Sequence, residues 1–238
     1  MVEQAQIKNQ IEVSVVVPIY NNAATIVELC RLVKKELAEL KVDFETILVE
    51  DCGTDNSRVV IRELCKVETQ IQAIFNATNL GQHRSILRGM QLSKGKYIVV
   101  MDADLQDNPA LIPTLIQSIH SGNDAVYALR EGQYQGHGRM RTSFFFKNLI
   151  YLLTGLKRTA GTYFIIKKSV KDRILKFSCP HPYITLIVVE HAQQVAYVKG
   201  KREQRATGVS AYSFKKRLQY AYYGLECIFY LKKQKILR

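Results

Sequence analysis

The chain has 238 residues, 47% of them apolar, and a formal charge of +13. Such a length suits one α/β domain with a full core, and the apolar content excludes wholesale disorder. No uncharged apolar run reaches the roughly 18 residues that span a bilayer, and the first ten residues are too polar for a signal peptide.

The charge is unevenly placed. Residues 1–120 hold 12 Lys and Arg against 15 Asp and Glu, a net of −3, while residues 121–238 hold 22 against 6, a net of +16. A basic half calls for an anionic partner: nucleic acid, an acidic membrane surface or a phosphorylated substrate. The five cysteines, Cys30, Cys52, Cys65, Cys179 and Cys227, are irregularly spaced and form no C-x-x-C. Neither a zinc site nor a disulfide framework is predicted. Reduced thiols suit a cytoplasmic protein, soluble or peripheral on the inner face of the membrane.

Taken in order, Val13 to Val17 is predicted as a buried strand stopped by Pro18. Asn21 or Asn22 can cap a helix from about Ala24 to Leu40, with Ile26, Leu29, Cys30, Val33, Leu37 and Leu40 on one face. Phe44 to Val49 is the second strand, followed by the polar Glu50, Asp51, Cys52, Gly53, Thr54 and Asp55. Asp55 or Ser57 opens a second helix with Val60, Ile61, Leu64 and Cys65 on its apolar face. Ile71 to Phe75 is a third strand, and Asn79 to His83 turn into a helix ending near Leu92. This alternation predicts right-handed crossovers and a parallel sheet whose strand ends present polar residues on one rim.

The fourth strand, from Tyr97 to Met101, ends in Asp102, Ala103, Asp104, Leu105, Gln106 and Asp107. A run of apolar residues with two valines reads as a strand buried on both faces. Its end places Asp102 and Asp104 on the same side, and no basic residue adjacent in sequence neutralises them. Such a pair suits a hard cation, Mg²⁺ or Mn²⁺, at the carboxyl end of a strand, where ligands of open α/β sheets bind. The plainer alternative is an acidic turn in which Asp102 or Asp107 caps the next helix.

Beyond a fifth strand, Asp124 to Leu129, three glycines among ten polar residues from Arg130 to Arg139 predict a mobile loop. Met140 to Leu153 is apolar around nearly its whole circumference, so that helix is core or rests against lipid or a partner. Tyr163 to Ile166 is a short strand, Ser169 caps a basic helix, and Gln194 to Val198 is another strand. A polar loop from Lys201 to Tyr212 leads to a last helix, about Ser213 to Lys233, whose tyrosines and lysines suit a water–lipid boundary. The scattered histidines read as structural or solvated, with His83, beside Gln82 at a strand end, set apart. No recognised nucleic-acid motif is present, so nucleic acid is not expected as a partner.

Val15 to Asn21, Glu50 and Asp51 with Asp55, Asn79 with Gly81 and Gln82, and Met101 to Gln106 together resemble the family 2 inverting glycosyltransferases. Within that family the chain is most similar to the dolichyl- and polyprenyl-phosphate sugar transferases. The resemblance runs from about Val13 to Gly224 and implies a GT-A fold: a Rossmann-like, mainly parallel central sheet flanked by helices in a single domain. It implies a nucleotide-sugar-binding half, residues 1–120, and a basic acceptor-binding half, residues 121–238. Pro18, Tyr20, Asp51 and Asp102 would line the nucleotide pocket, with Asn21 standing where glutamate is usual. Asp102, Asp104 and Gln106 would hold Mg²⁺ or Mn²⁺ on the donor diphosphate. Arg130, Arg139 and Ser143, then Arg205, Gly208, Ser210 and Tyr212, match the positions that bind the lipid phosphate. Three departures stand out: Asn21, Gly53 in place of serine, and Thr162 where an Asp-Phe-Arg string is usual.

The chemistry of the acceptor separates two enzyme readings. A sugar hydroxyl needs a positioned base, whereas a phosphate monoester, with a second pKa of about 6, is already mostly dianionic at neutral pH. The second half is poor in carboxylates and rich in arginine, a bidentate phosphate ligand. The expectation is therefore transfer to polyprenyl phosphate, with Asp104 at the donor and Arg130 and Arg139 at the acceptor as catalytic groups. The alternative enzyme is a soluble transferase to a glycan hydroxyl, with Asp107 or Glu190 as base. The alternative of another class is an inactive relative that binds nucleotide or lipid. The expected partners are a nucleotide-sugar, one of these acceptors, and a membrane surface or membrane-anchored protein.

Overall fold

The computed structural model of the chain describes residues 11–131, 148–201 and 214–234. Its centre is a seven-stranded sheet. The strands are β1 (Val13–Ile19), β2 (Phe44–Glu50), β3 (Ile71–Phe75), β4 (Tyr97–Val100), β5 (Ala125–Glu131), β6 (Ala160–Lys167) and β7 (Val195–Lys201), in the spatial order β3-β2-β1-β4-β6-β5-β7. The helices are α1 (Ile26–Glu39), α2 (Ser57–Val67), α3 (Gln82–Leu92), α4 (Ile112–His120), α5 (Lys168–Ile174), α6 (Ile184–His191) and α7 (Phe214–Lys233). A 3₁₀ turn at Pro109–Leu111 precedes α4, and residues 148–154 are also helical.

The first four strands are parallel, as the alternation of strand and helix requires. Val13, Val15, Val17 and Ile19 of β1 face a core shared with α1 and α4, against which α2 also packs. Val16, from the intervening side, joins Ile47, Val49, Ile86 and Met90 in a second core under α3, α5, α6 and α7. Side chains alternate across a strand, so apolar residues at every position demand helices on both faces. Each fully buried Val, Leu or Ile stabilises this arrangement by about 1.5–3 kcal/mol. Pro18 is buried within β1, yet its missing N–H costs no ladder bond. The β1–β4 ladder ends at Val16, whose carbonyl accepts from Met101, and Pro18 faces the space beyond that end.

The second half departs from the parallel pattern. β6 runs antiparallel between β4 and β5, while β7 pairs parallel with β5. Leu129, near the end of β5, pairs with Ala160 at the start of β6. A strand that starts on the rim where its neighbour ended must run back across the sheet. β6 is also longer than the Tyr163–Ile166 segment expected from sequence.

Several capping expectations are corrected. α1 begins at Ile26 behind Thr25, so neither Asn21 nor Asn22 is its cap, whereas Ser57 opens α2 as expected, with Asn56 at the cap position. Asn108, not Asp102 or Asp107, caps the turn before α4 by accepting from the Ala110 N–H. Ser169 lies inside α5, which starts behind Lys167. α6 has no counterpart among the expected elements, because its run of Ile, Leu and Val is buried nearly all round and shows no helical period. All five cysteines are free. No helix among the described residues is long and apolar enough to cross a membrane.

Candidate active site

The loops that follow β1, β2, β3 and β4 meet on the carboxyl rim of the sheet. The β4 loop is held residue by residue. The Asp102 N–H donates to Asp107 Oδ2 at 3.2 Å, and the Ala103 carbonyl accepts from Thr25 Oγ1 at 2.7 Å. The Gln106 N–H donates to Asp104 Oδ1 at 3.2 Å, a local turn that Leu105 completes with φ of +60°. Asp107 is buried beneath this loop and serves its backbone.

The structure adds two partners to Asp102 that the sequence does not reveal. Its Oδ1 accepts from Gln82 Nε2 at 2.6 Å and from Thr162 Oγ1 at 2.8 Å. Both donors are neutral, so they aim the carboxylate without cancelling its charge. Sequence reasoning gave neither residue a role. Gln82 lay within a quoted motif, and Thr162 stood out only as a departure from the family pattern.

Asp51 was expected to face a nucleotide, but only 3% of it is exposed. Its Oδ1 accepts from Asn76 Nδ2 and the Leu80 N–H, and its Oδ2 accepts from the Gly81 N–H, at 2.7–2.8 Å. It thus anchors the turn into α3, which Gly81 makes with φ of +84°, a conformation that favours glycine. Arg88 reaches back from α3 to the Asn76 side-chain oxygen, and Ser85 accepts from the Asn76 amide. The first turn of α3 is thereby fixed, and with it the Gln82 amide on Asp102.

The β1 and β2 loops are joined in the same manner. Asp55 accepts from the Ala23 N–H at 2.8 Å and the Ser57 N–H at 3.0 Å. Burial pushes its pKa up, but the bonds from Ser57 and Ala23 outweigh that and hold it below the usual value. Asn21, with φ of +56°, accepts from the Thr54 N–H at 2.7 Å. A Cβ on Gly53 would stand 2.7 Å from Asn21 Oδ1. The two departures from the family pattern are therefore in contact, and a serine at 53 would press on the Asn21 side chain. Tyr20, 44% exposed, and the exposed Asn21 are the outward members of this loop pair. Three of the four non-glycine residues with positive φ among those described, Asn21, Cys52 and Leu105, lie in rim loops, where strained backbone marks function in many proteins.

His83 lies against Tyr183, the rings tilted by 35° with centroids 4.7 Å apart, and its Nδ1 accepts from the Ile184 N–H at 3.4 Å. Burial pushes its pKa down to about 4, although the Asp102 carboxylate pulls the other way. The ring is neutral at pH 7. Arg130 lies near the end of β5, beside Gly200 of β7. Arg139, Ser143, Arg205, Gly208, Ser210 and Tyr212 lie outside the described residues, Ser143 in the stretch expected as a helix and the others in stretches expected as loops.

Among the described residues no three His, Cys, Asp or Glu side chains converge as a ready-made metal cage. The donor set nevertheless fits a hard cation. Asp102, Asp104 and Gln106 offer oxygen on one pinned turn, and Mg²⁺ or Mn²⁺ takes few protein carboxylates when substrate phosphates complete its shell.

The sequence profile of "Glycosyl transferase family 2" matches residues 14–182. A Proteus mirabilis protein named undecaprenyl-phosphate 4-deoxy-4-formamido-L-arabinose transferase is 29% identical over 91% of this chain and 68% of its own length. A Bacillus subtilis protein named uncharacterized glycosyltransferase YkcC is 28% identical over 90% of this chain and 68% of its own. Among solved structures, glucosyl-3-phosphoglycerate synthase of Mycobacterium tuberculosis, in complex with Mn²⁺, UDP and phosphoglyceric acid, superposes with a TM-score of 0.64 at 15% identity. That match covers 93% of this chain and 78% of the other. TarS 1-349 of S. aureus with UDP-GlcNAc gives 0.58 at 17% identity, over 88% of this chain and 64% of that TarS chain. The structural likenesses establish the GT-A fold, and the profile covers well over half of the sequence. The chain belongs to glycosyl transferase family 2.

Proposed function

We propose that this glycosyltransferase moves a sugar from a nucleotide-sugar to the phosphate of a polyprenyl phosphate, with inversion at the anomeric carbon and with the help of a divalent cation. The donor would lie across the rim, its nucleoside against Tyr20 and Asn21 and its diphosphate toward Asp102 and Asp104. Asp51 would act indirectly, through the turn that seats Gln82. Asp102, Asp104 and Gln106 would hold Mg²⁺ or Mn²⁺, which supplies positive charge to the departing diphosphate. The protein's own part is orientation: the pinned β4 loop presents its carboxylates without reorganisation at the moment of transfer.

The observation that carries the phosphate acceptor is the split of charge, −3 in the half with the donor rim and +16 in the other. The proposed clamp is Arg130, Arg139 and Arg205, with Ser143 and Ser210. A phosphate nucleophile needs no base, and the two candidate bases are poorly suited to supply one. Asp107 accepts from the backbone of Asp102, and Glu190 is buried at the end of α6. The name borne by the Proteus relative supports the same acceptor class. Tyr222, Leu225 and Phe229 are exposed along one side of α7, with Lys232 and Lys233 exposed at its end. This surface suits peripheral attachment to an anionic bilayer.

The test is a panel of nucleotide-sugars with Mn²⁺ or Mg²⁺, offered a short-chain polyprenyl phosphate or soluble glycans. Transfer to the polyprenyl phosphate with one donor is expected. Transfer to glycans alone would replace this reading with the hydroxyl-acceptor one.

A further inference from the structure

We propose that Thr162 is a positioning residue for the donor site, acting through Asp102; this rests on the donor reading above. The argument starts with register. Tyr97 pairs with Lys167, Ile98 with Ile166, Val99 with Ile165 and Val100 with Phe164 in the antiparallel β4–β6 ladder. Two residues further along, the same register sets Asp102 opposite Thr162. Directly opposed residues of antiparallel strands project on the same face with their Cβ atoms about 5 Å apart. A short hydroxyl side chain spans that gap, and Thr162 Oγ1 lies 2.8 Å from Asp102 Oδ1.

The site is built to keep that bond. Thr162 is only 8% exposed in a strand flanked by β4 and β5, and β-branching restricts its rotamers. The same Asp102 oxygen accepts from Gln82 at 2.6 Å, so two donors from two different elements converge on one atom. The Asp102 N–H is tied to Asp107. A carboxylate held by one oxygen through crossed bonds loses its rotation about the Cβ–Cγ axis. Its direction toward the donor is set before the donor arrives. An acid at position 162 would instead set a second negative charge against Asp102. With threonine the rim works with two carboxylates and an aligned hydroxyl.

The test measures binding of nucleoside diphosphates (UDP, GDP and CDP, each with Mn²⁺) by calorimetry, alongside thermal unfolding. Thr162→Val keeps the shape and removes the donor; it weakens the best diphosphate about tenfold. Thr162→Ser restores binding to within about twofold, because the hydroxyl returns. In an Asp102→Ala background, Thr162→Val changes affinity less than about twofold, as expected of residues that act as a unit. Should Thr162→Val unfold, Thr162→Ala carries the same comparison. Wild-type affinity in either hydroxyl-free variant overturns the inference, and so does an equal loss in the Asp102→Ala background, which would mean that Thr162 supports the strand alone. If no diphosphate binds the wild-type protein, the donor reading fails and the inference falls with it.

Discussion

At the scale of single residues, the site is a set of short polar side chains whose contacts leave little slack. Gly53 shows this most directly. A Cβ there would meet Asn21 Oδ1 at 2.7 Å, the Asn21 backbone N at 3.1 Å and Glu50 Oε1 at 3.3 Å, and the Gly53 N–H already donates to Glu50. Gly53→Ser should lower stability by about 1–3 kcal/mol through overpacking. Adding Asn21→Gly should recover only part of the loss, because it clears the nearer oxygen but leaves the Asn21 backbone N in place and the Thr54 N–H without that acceptor, and chemical denaturation of the two variants checks both. His83 makes a prediction in pH. Its native pKa of about 4 lies below its ordinary value of 6.5 because burial disfavours the charged ring. The unfolded chain therefore takes up this proton first, and stability is lost as pH falls through the window from 6.5 to 4. The loss is at most about 3 kcal/mol by linkage. His83→Asn should flatten the stability curve across that window relative to wild type.

At the scale of elements, α3 does the most to shape the rim, and Asp51 is what seats it. Three donors converge on that buried carboxylate. Asp51→Ala leaves them without their acceptor and should cost about 2–4 kcal/mol. Because Gln82 is then less firmly placed, donor KM should rise while a melting experiment still shows a cooperative transition. Much of this architecture was legible in the sequence. The apolar runs, their spacing and the polar strand ends gave β1 to β4 and the rim, because period and punctuation are local signals. The direction of β6 was not legible, since alternation along a strand is the same whichever way it runs. Thr162 could be placed opposite Asp102 only once that direction was known. Nor did the sequence show that Asp51 is buried and bonded to the turn before α3: a buried acceptor and an exposed ligand are the same letter. α6 was missed because a helix buried all round loses its period.

At the scale of the molecule, the two halves differ in charge and in build. The first half builds a rigid rim of hydrogen-bonded carboxylates. The second half adds the antiparallel β6, whose Thr162 touches that rim, and carries the excess of positive charge. The proposed acceptor residues Arg139, Arg205 and Ser210 fall in polar segments, where side-chain pattern predicts a loop but no geometry, and Ser143 falls in the stretch expected as a helix. In the proposed function, Asp102, Asp104 and Gln106 of the β4 loop would hold the cation that supplies positive charge to the departing diphosphate. The most direct measurement is single-turnover transfer from the accepted nucleotide-sugar, with Mn²⁺ present, by wild type and by Asp104→Ala shown to be folded. Loss of Asp104 should slow transfer by about 10²-fold or more, the scale of losing one strong electrostatic stabiliser. Transfer at the wild-type rate by the folded variant would contradict the account.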